Sequence, residues 1–311
     1  MSKNNKAKVA VTGATGFIGR QLVCTLSANG YEVVLFGRDY SRLKQLLNKE
    51  DESFTVVVTD YGQGLVKQLK GIKAIVHLAG MRYQKGNTLE DYLQHNLSLT
   101  QRLFSAASVN GIRDIIFAST RSVYNPKINK LPFKEDEDCT PTTAYGVSKF
   151  VCEKIANYYN QEFKLRIKCL RIGQVVDTYA HCEYMLGTML KRAANRETIE
   201  VWGEGRGARD YVYIKDVTRA ILKALERSKV RGVFNIGSGE AVTHLQLAET
   251  INDAFGNSGN FVFVPEKYED TQCYLMSTER TNYELDWKAE WTLKDMFLDL
   301  ACEYRAQLAN F

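Results

Sequence analysis

The sequence predicts an α/β protein built on a doubly wound parallel sheet, with a smaller, sequence-interleaved substrate lobe in its C-terminal half. Three observations predict it. The β-branched run Lys8-Val-Ala-Val-Thr12 leads directly into Gly13-Ala-Thr-Gly16-Phe-Ile-Gly19, a strand feeding a glycine-rich turn that opens a helix. Strand-like and helix-like stretches then alternate as far as Arg171, the pattern of right-handed crossovers between parallel strands. The chain has 311 residues, 45% of them hydrophobic and 25% charged, which suffices for a full core and an appended lobe.

Taken in order, the β-branched run predicts strand 8–12, and the helix opened by its glycine turn covers 20–29. Strand 31–36 precedes a helix over 41–49, and strand 54–58 precedes a short helix over 64–70. Strand 74–78 leads into helical periodicity sustained over 89–110. Strand 113–118, a helix over 143–162 and strand 166–171 complete the pattern. The four prolines, Pro126, Pro132, Pro141 and Pro265, fall in the connections. Residues 1–173 with 209–257 are expected to form the dinucleotide-binding domain, and 174–208 with 258–311 the substrate lobe. Ligands should gather at the carboxyl ends of the strands.

The glycines have separate tasks. Gly13 permits the tight turn, Gly16 lets a pyrophosphate approach the backbone at a helix N-terminus, and Gly19 allows the helix to pack closely on the strand. In the later helix, Tyr145-Gly-Val-Ser-Lys149 sets a phenol and an ammonium four residues apart, hence on one face. A free tyrosine, with a pKa of about 10, is a poor base at neutral pH, so a neighbouring cation is what would make it useful in proton transfer.

Composition narrows the function. The formal net charge of +5 is spread along the chain without a basic run, which argues against nucleic-acid binding. Cys24, Cys139, Cys152, Cys169, Cys182, Cys273 and Cys302 show neither Cys-x-x-Cys nor paired Cys/His spacing. Free thiols, no metal site and a reducing compartment are therefore expected. The polar start Met1-Ser-Lys-Asn-Asn-Lys6, and the lack of any apolar stretch of about 18 residues, lead to the expectation of a cytoplasmic protein without a membrane span.

The order of motifs then resembles a known family. Thr12-Gly-Ala-Thr-Gly-Phe-Ile-Gly19, His77-Leu-Ala-Gly80, Asn96, Ala118-Ser-Thr-Arg-Ser-Val-Tyr-Asn125 and Tyr145-x-x-x-Lys149 are similar to the extended short-chain dehydrogenase/reductases. More narrowly, with Trp202-Gly-Glu-Gly-Arg-Gly-Ala-Arg-Asp-Tyr-Val-Tyr-Ile-Lys-Asp-Val217 and Phe234-Asn-Ile-Gly-Ser-Gly239, they resemble the NAD-dependent epimerase/dehydratase family acting on nucleotide sugars. The resemblance implies a Rossmann fold and a catalytic set of Thr120, Tyr145 and Lys149, with Asn96 fixing the lysine or capping a helix. It implies cofactor contacts from Gly13, Thr15, Gly16, Phe17, Ile18 and Gly19, from Leu78, Ala79 and Gly80, and from Asp60, in addition to Tyr145 and Lys149. Ser119 and Ser122 have weaker claims. His77 reads as a core residue, and His95, His181 and His244 lack partner spacing.

At the ribose end the acidic residue expected after strand two is replaced in Leu35-Phe-Gly-Arg-Asp39 by Gly37, with Arg38 and Arg42 placed to meet a 2′-phosphate. NAD is expected, with NADP left open. On the substrate side the resemblance implies Arg209 and Arg280 as clamps on a nucleotide diphosphate, and Gln174 where relatives carry Asn. The expected activity is a UDP-sugar 4-epimerase acting by transient hydride transfer. The alternatives are an NADPH-dependent ketoreductase and a non-catalytic dinucleotide sensor. Dehydration is disfavoured because Arg121-Ser122 stand where dehydratases carry Asp-Glu. Trp202, Tyr184, Met185, Tyr268 and Trp291 shape either the pocket or the core of the lobe, and a homodimer through the helices at 89–110 and 143–162 is expected.

Overall fold

A computed structural model describes residues 7–44, 54–177 and 185–308. Seven parallel strands form the main sheet: β1 (Lys8–Thr12), β2 (Glu32–Gly37), β3 (Phe54–Val58), β4 (Ala74–His77), β5 (Asp114–Thr120), β6 (Arg166–Ile172) and β10 (Gly232–Ile236). Their order across the sheet is β10-β6-β5-β4-β1-β2-β3. The order reverses beside β1, so a crevice opens there at the carboxyl ends of β1 and β4, as doubly wound sheets require. The first glycine turn follows β1, and the Leu78-Ala-Gly80 segment follows β4. Their register sets Thr12 against His77.

The sheet is apolar on both faces because helices cover both. On one face α1 (Phe17–Ala28) and α8 (Ile214–Glu226) pack Leu22, Val23, Val217 and Ile221 on Val9, Val11 and Val33. On the other, α3 (Leu65–Gln68), α5 (Ser98–Val109) and α6 (Ala144–Glu162) pack Leu103, Phe104, Cys152 and Ala156 on Ala10, Ile75 and Ile115. The alternation of side chains along each strand divides these sets.

Three boundaries differ from expectation in ways that matter to the site. The first helix begins at Phe17, directly after Gly16, so its free N–H groups stand at the turn. Strand five runs on to Thr120, which is paired with Ile172. The periodic stretch at 89–110 is an α-helical turn, α4 (Leu89–Tyr92), a π-helical turn over Leu93–Leu97, and then α5. A π turn admits one extra residue without ending the helix, so the stretch stays helical while its buried face is shifted by one residue. Of the helix expected over 41–49, α2 covers Tyr40–Lys44, and 45–49 lie outside the described residues, as do His181, Cys182 and Tyr184.

The lobe contains α7 (Met185–Ala194), α9 (His244–Phe255) and α11 (Leu293–Leu308) around β8 (Ile199–Trp202), which pairs with β12 (Phe261–Val264). A second small sheet joins β11 (Ala241–Thr243), β9 (Ala208–Tyr213), β13 (Cys273–Tyr274) and β7 (Gln174–Val176). Of the stretch 209–257, β10 and α8 therefore lie with the large sheet, while β9, β11 and α9 lie in the lobe, because Leu247, Ala248 and Ile251 bury against its core. Trp291 packs at a tilt against Tyr213, centroids 4.8 Å apart, beside that core, whereas Trp202, Tyr268 and Met185 are exposed. α10 (Glu279–Leu285) returns to pack on β10 and α8.

Candidate active site

A cleft of about 770 Å³ runs along the carboxyl ends of β1, β2 and β4, from Gly13 and Gly16 past Gly37 to Gly80. Its shape depends on missing side chains. Gly13 has φ +73°, and a Cβ there would come within 2.6 Å of Ala79 N; a Cβ on Gly19 would lie 2.3 Å from Gly13 O. The turn thus packs directly on the exit of β4, and α1 directly on the turn. Gly16 caps α1 with no side-chain bond, and no acid stands in the first turn. Open N–H groups at a helix N-terminus suit an anionic ligand, so this end of the cleft fits a dinucleotide pyrophosphate. Thr15 lines the cleft, whereas Phe17 and Ile18 pack toward the lobe core.

The opposite end is basic. Arg38, Arg42 and Arg102 line it together with Asp39 and Asp60. Both acids are engaged locally. Asp39 accepts from Arg42 N at 3.2 Å and lies 3.5 Å from its guanidinium, and Asp60 accepts from Gly62 N at 2.8 Å. Arg38 is exposed.

Thr120, Tyr145, Lys149, Asn96 and Gly80 meet beyond the inner end of this cleft. Thr120 ends β5, and its hydroxyl, which accepts from Ser122 N at 3.2 Å and donates to Ser122 Oγ at 3.3 Å, lies close enough to the Tyr145 phenol to lower its pKa. Tyr145 reaches it because α6 starts close by: Thr143 caps the helix through Gly146 N at 3.0 Å, and a Cβ on Gly146 would lie only 2.2 Å from Ser122 O. Tyr92 lies edge-on to the Tyr145 ring at 5.8 Å. Burial pushes the phenol up to about 12, against the lowering effect of Thr120.

Lys149 lies one turn on, on the expected face, yet its ammonium donates to Ala118 O at 2.8 Å and sits 4.7 Å above the Phe117 ring. Burial pulls its pKa down, while Cys152, Cys169 and Glu153 hold it up. A Cβ on Gly80 would be 3.6 Å from Nζ and 3.0 Å from Asn96 Oδ1. Asn96, 2% exposed in the π turn, is no cap. It accepts from Met81 N at 2.6 Å, donates to Met81 O at 3.1 Å and donates to Ser148 Oγ at 3.2 Å. Ser148 in turn donates to Tyr145 O at 2.8 Å. Asn96 therefore ties the loop after β4 to the helix carrying Tyr145 and Lys149.

His77 is part of the frame. Burial and the Lys149 charge push it down to about 3, so the imidazole is neutral. Its Nδ1 contacts Thr12 Oγ1 at 2.7 Å and its Nε2 contacts Thr100 Oγ1 at 3.1 Å. Thr100 donates to Asn96 O at 2.7 Å, and Thr12 Oγ1 accepts from Ala79 N at 3.2 Å. That network assigns the proton to Nε2.

On the lobe side, Gln174 starts β7 and accepts from Arg121 Nη2 at 3.2 Å. Arg209 on β9 pairs with Asp270 at 2.6 Å and donates to Ala208 O and Gln272 O. Asp210, wholly buried, accepts from Ser238 N at 2.6 Å, Ser238 Oγ at 2.9 Å, and Gly239 N and Met276 N at 3.3 Å. It thereby joins β9 to the turn after β10 and to the segment following β13. Arg280 is not brought to this group. It pairs with Glu284 at 2.8 Å, covers Phe234 and approaches Gly232, at the amino end of β10.

Several site residues carry weak sequence signals. Gly146 and Ser148 sit inside the Tyr145/Lys149 motif, where a buried glycine and a small hydroxyl mark close helix approach. Asp210 follows Arg209, and Tyr274 stands alone. Among the described residues, no His/Cys/Asp/Glu group could hold a metal ion.

A sequence model of the NAD dependent epimerase/dehydratase family matches residues 9–237. An uncharacterized UDP-glucose epimerase of Bacillus subtilis is 31% identical over 269 residues, which cover 82% of this chain and 84% of that protein. The crystal structure of UDP-N-acetylglucosamine 4-epimerase from Bacillus cereus aligns with a TM-score of 0.85 at 31% identity, over 96% of this chain and 97% of that one. UDP-glucuronic acid 4-epimerase from Bacillus cereus, in complex with UDP-glucuronic acid and NAD, aligns with a TM-score of 0.82 at 26% identity, over 97% and 99%.

Proposed function

Because this chain belongs to the NAD dependent epimerase/dehydratase family, we propose that it is a nucleotide-sugar 4-epimerase. It would act with NAD on a UDP-hexose or UDP-N-acetylhexosamine through a 4-keto sugar. One observation carries the reading: the Thr120 hydroxyl and Tyr145 phenol meet at the carboxyl end of β5, next to Lys149 and Gly80 at the dinucleotide cleft.

Gly13, Gly16 and the open start of α1 would hold the pyrophosphate, and Leu78, Ala79 and Gly80 the nicotinamide end. When bound, NAD supplies a hydride acceptor and, on the same ring, a positive charge that favours a phenolate. Tyr145 would take the proton of the C4 hydroxyl and return it, while Thr120 holds that oxygen. Lys149 adds positive charge at the same end of the sheet. Asn96 fixes the frame on which both stand. Arg121 and Ser122 offer no carboxyl pair for water loss, which supports epimerisation over dehydration.

Incubation with UDP-glucose, UDP-N-acetylglucosamine and UDP-glucuronic acid, followed by NMR of the products, tests this. C4 epimers are expected, with activity abolished in Tyr145→Phe. An active wild type and an equally active Tyr145→Phe would exclude the phenol. A sensor without catalysis would turn over none of the three.

Arg38 and Arg42, with both nearby acids engaged, favour a second reading: an NADPH-dependent ketoreductase. Net oxidation of NADPH by a 4-keto sugar nucleotide, lost in Arg38→Ala, would support it over epimerisation. A homodimer through α5 and α6 belongs to the first reading, supported by exposed Tyr158 and Phe163 on α6 and just past its end; sedimentation gives the mass. No helix among the described residues is long and apolar enough to cross a membrane, and a cytoplasmic location is part of the same reading.

A further inference from the structure

Arg121 follows Thr120 directly and turns its side chain away from the phenol, toward the lobe. Its guanidinium carbon lies 4.4 Å from the centroid of the Tyr274 ring, and that of Arg209 lies 4.8 Å from the same centroid. Two like charges thus converge on one ring, at a cost in mutual repulsion unless a counter-charge is present.

No carboxylate is bonded to the Arg121 guanidinium among the described residues. Asp270 pairs with Arg209 at 2.6 Å. Asp210, the other carboxylate nearby, directs its oxygens at three backbone N–H groups and the Ser238 hydroxyl, and supports the Arg121 cation only through space. Among the described residues, no carboxylate lies within ion-pair distance of Arg121; its one side-chain hydrogen bond is to Gln174 Oε1. Burial and the Arg209 charge both work against the Arg121 cation, yet a guanidinium does not give up its proton in a protein. With no carboxylate bonded to it among the described residues, the Arg121 guanidinium presents a planar fork suited to phosphate oxygens. Gln174 adds to it. An arginine can only donate, so Gln174 Oε1 is the accepting atom and its amide N–H groups remain for a ligand oxygen.

Position narrows the ligand. The cluster begins one residue from the hydroxyl beside the Tyr145 phenol, so the anion it meets is part of the molecule whose oxygen would lie at Thr120. We propose that Arg121 is a substrate-binding residue that, with Arg209 across the Tyr274 ring and the Gln174 amide, holds the diphosphate of the nucleotide sugar. The inference rests on the nucleotide-sugar reading above. Arg121 would then fix the nucleotide while the sugar end stays free to present either face, so the residue that displaces the dehydratase Asp-Glu pair also anchors the substrate.

The test is calorimetric binding to the protein saturated with NAD, using UDP, uridine, UDP-glucose and UDP-glucuronic acid. In Arg121→Gln and Arg121→Ala, UDP and both UDP-sugars should weaken by at least about 10-fold, with Arg121→Lys intermediate and uridine unchanged. The dependence of UDP affinity on salt should flatten. Urea midpoints near that of the wild type establish that the variants fold, and Arg121→Gln retains most of the packing on Tyr274. Unchanged UDP affinity in both variants would overturn the proposal. So would a wild type that binds no UDP, or a loss confined to UDP-glucuronic acid, which would make Arg121 a reader of a sugar carboxylate. Arg121-dependent UDP binding without any epimerisation would sink the epimerase reading and leave the diphosphate clamp standing.

Discussion

Replacing Gly146 by Ala should uncouple folding from turnover. The added Cβ would lie 2.2 Å from Ser122 O and 3.1 Å from Pro141 Cβ, whereas a carbon–oxygen contact settles at about 3.3 Å or more. The start of α6 and the turn after β5 must therefore part by about 1 Å. Ser122 N is bonded to Thr120 Oγ1, and Tyr145 precedes Gly146, so the displacement falls on the Thr120–Tyr145 contact itself. A misplacement of about 1 Å can lower turnover by roughly 100-fold. Stability changes less: overpacking costs about 1–3 kcal/mol, and about 1 kcal/mol returns because alanine is the better helix former. The variant should fold with a slightly lowered urea midpoint, bind UDP like the wild type and epimerise roughly 100-fold more slowly by the NMR assay. Turnover within about 3-fold of wild type in a folded variant would refute the claim that Gly146 sets the distance between phenol and threonine.

His77, pushed down from 6.5 to about 3, binds its proton in the unfolded chain but not in the folded one between those values. Its contribution is therefore complete above pH 6.5 and lost as pH falls from 6.5 toward 3; between pH 7 and pH 5 the wild type should lose about 2 kcal/mol relative to His77→Gln. Parallel urea curves at both pH values measure the difference, and a constant gap would contradict the burial argument. Asn96→Ala removes the bonds to Met81 N and Met81 O and one of the two bonds of the Ser148 hydroxyl, costing about 1–3 kcal/mol. It should also lower kcat more than KM, because it loosens the helix bearing Tyr145; a stability loss with kcat intact would confine Asn96 to the frame. Asp210→Asn, keeping its oxygen on Ser238, turns an amide donor toward Gly239 N and Met276 N and should cost about 1–3 kcal/mol, visible as a lower melting temperature. Unchanged melting would show that those bonds are dispensable.

The large sheet was legible because each of its signals is local. Val9 and Val11 announce a buried strand, Gly13 and Gly19 a turn too tight for a Cβ, and the alternation that follows needs a parallel sheet. The catalytic set was legible as spacing: Tyr145 and Lys149 lie on one helix face whatever surrounds them. What the spacing could not convey depends on partners far along the chain. Asn96 reads equally well as a cap, and only contact with Ser148, 52 residues on, makes it a clamp. Arg209 and Arg280 look alike as exposed cations, but Asp270 and Tyr274 hold one beside Gln174, while Glu284 and Phe234 hold the other at the far end of β10. Arg121 was visible only as a missing Asp.

The same limit bears on the acid/base couple. Helical geometry places the Lys149 stem on the Tyr145 face, but the direction of its ammonium is decided by the nearest strong acceptor, and that is Ala118 O on β5. The bond draws the charge beneath the sheet end instead of onto the phenol. The residues of the chain alone thus hold Tyr145 near 12, with Thr120 offsetting part of the burial cost. A phenol so placed is nearly all protonated at neutral pH, about five pH units below its pKa. Proton abstraction then requires further positive charge in the cleft. The oxidised nicotinamide, when bound, would supply that charge, so the Tyr145 phenolate would be favoured beside a hydride acceptor and its reprotonation favoured once that charge is lost. In an epimerase that coupling suits the sequence of events, because the proton must leave with the first hydride transfer and return with the second. Lys149, fixed on Ala118 O, would serve both halves from one position.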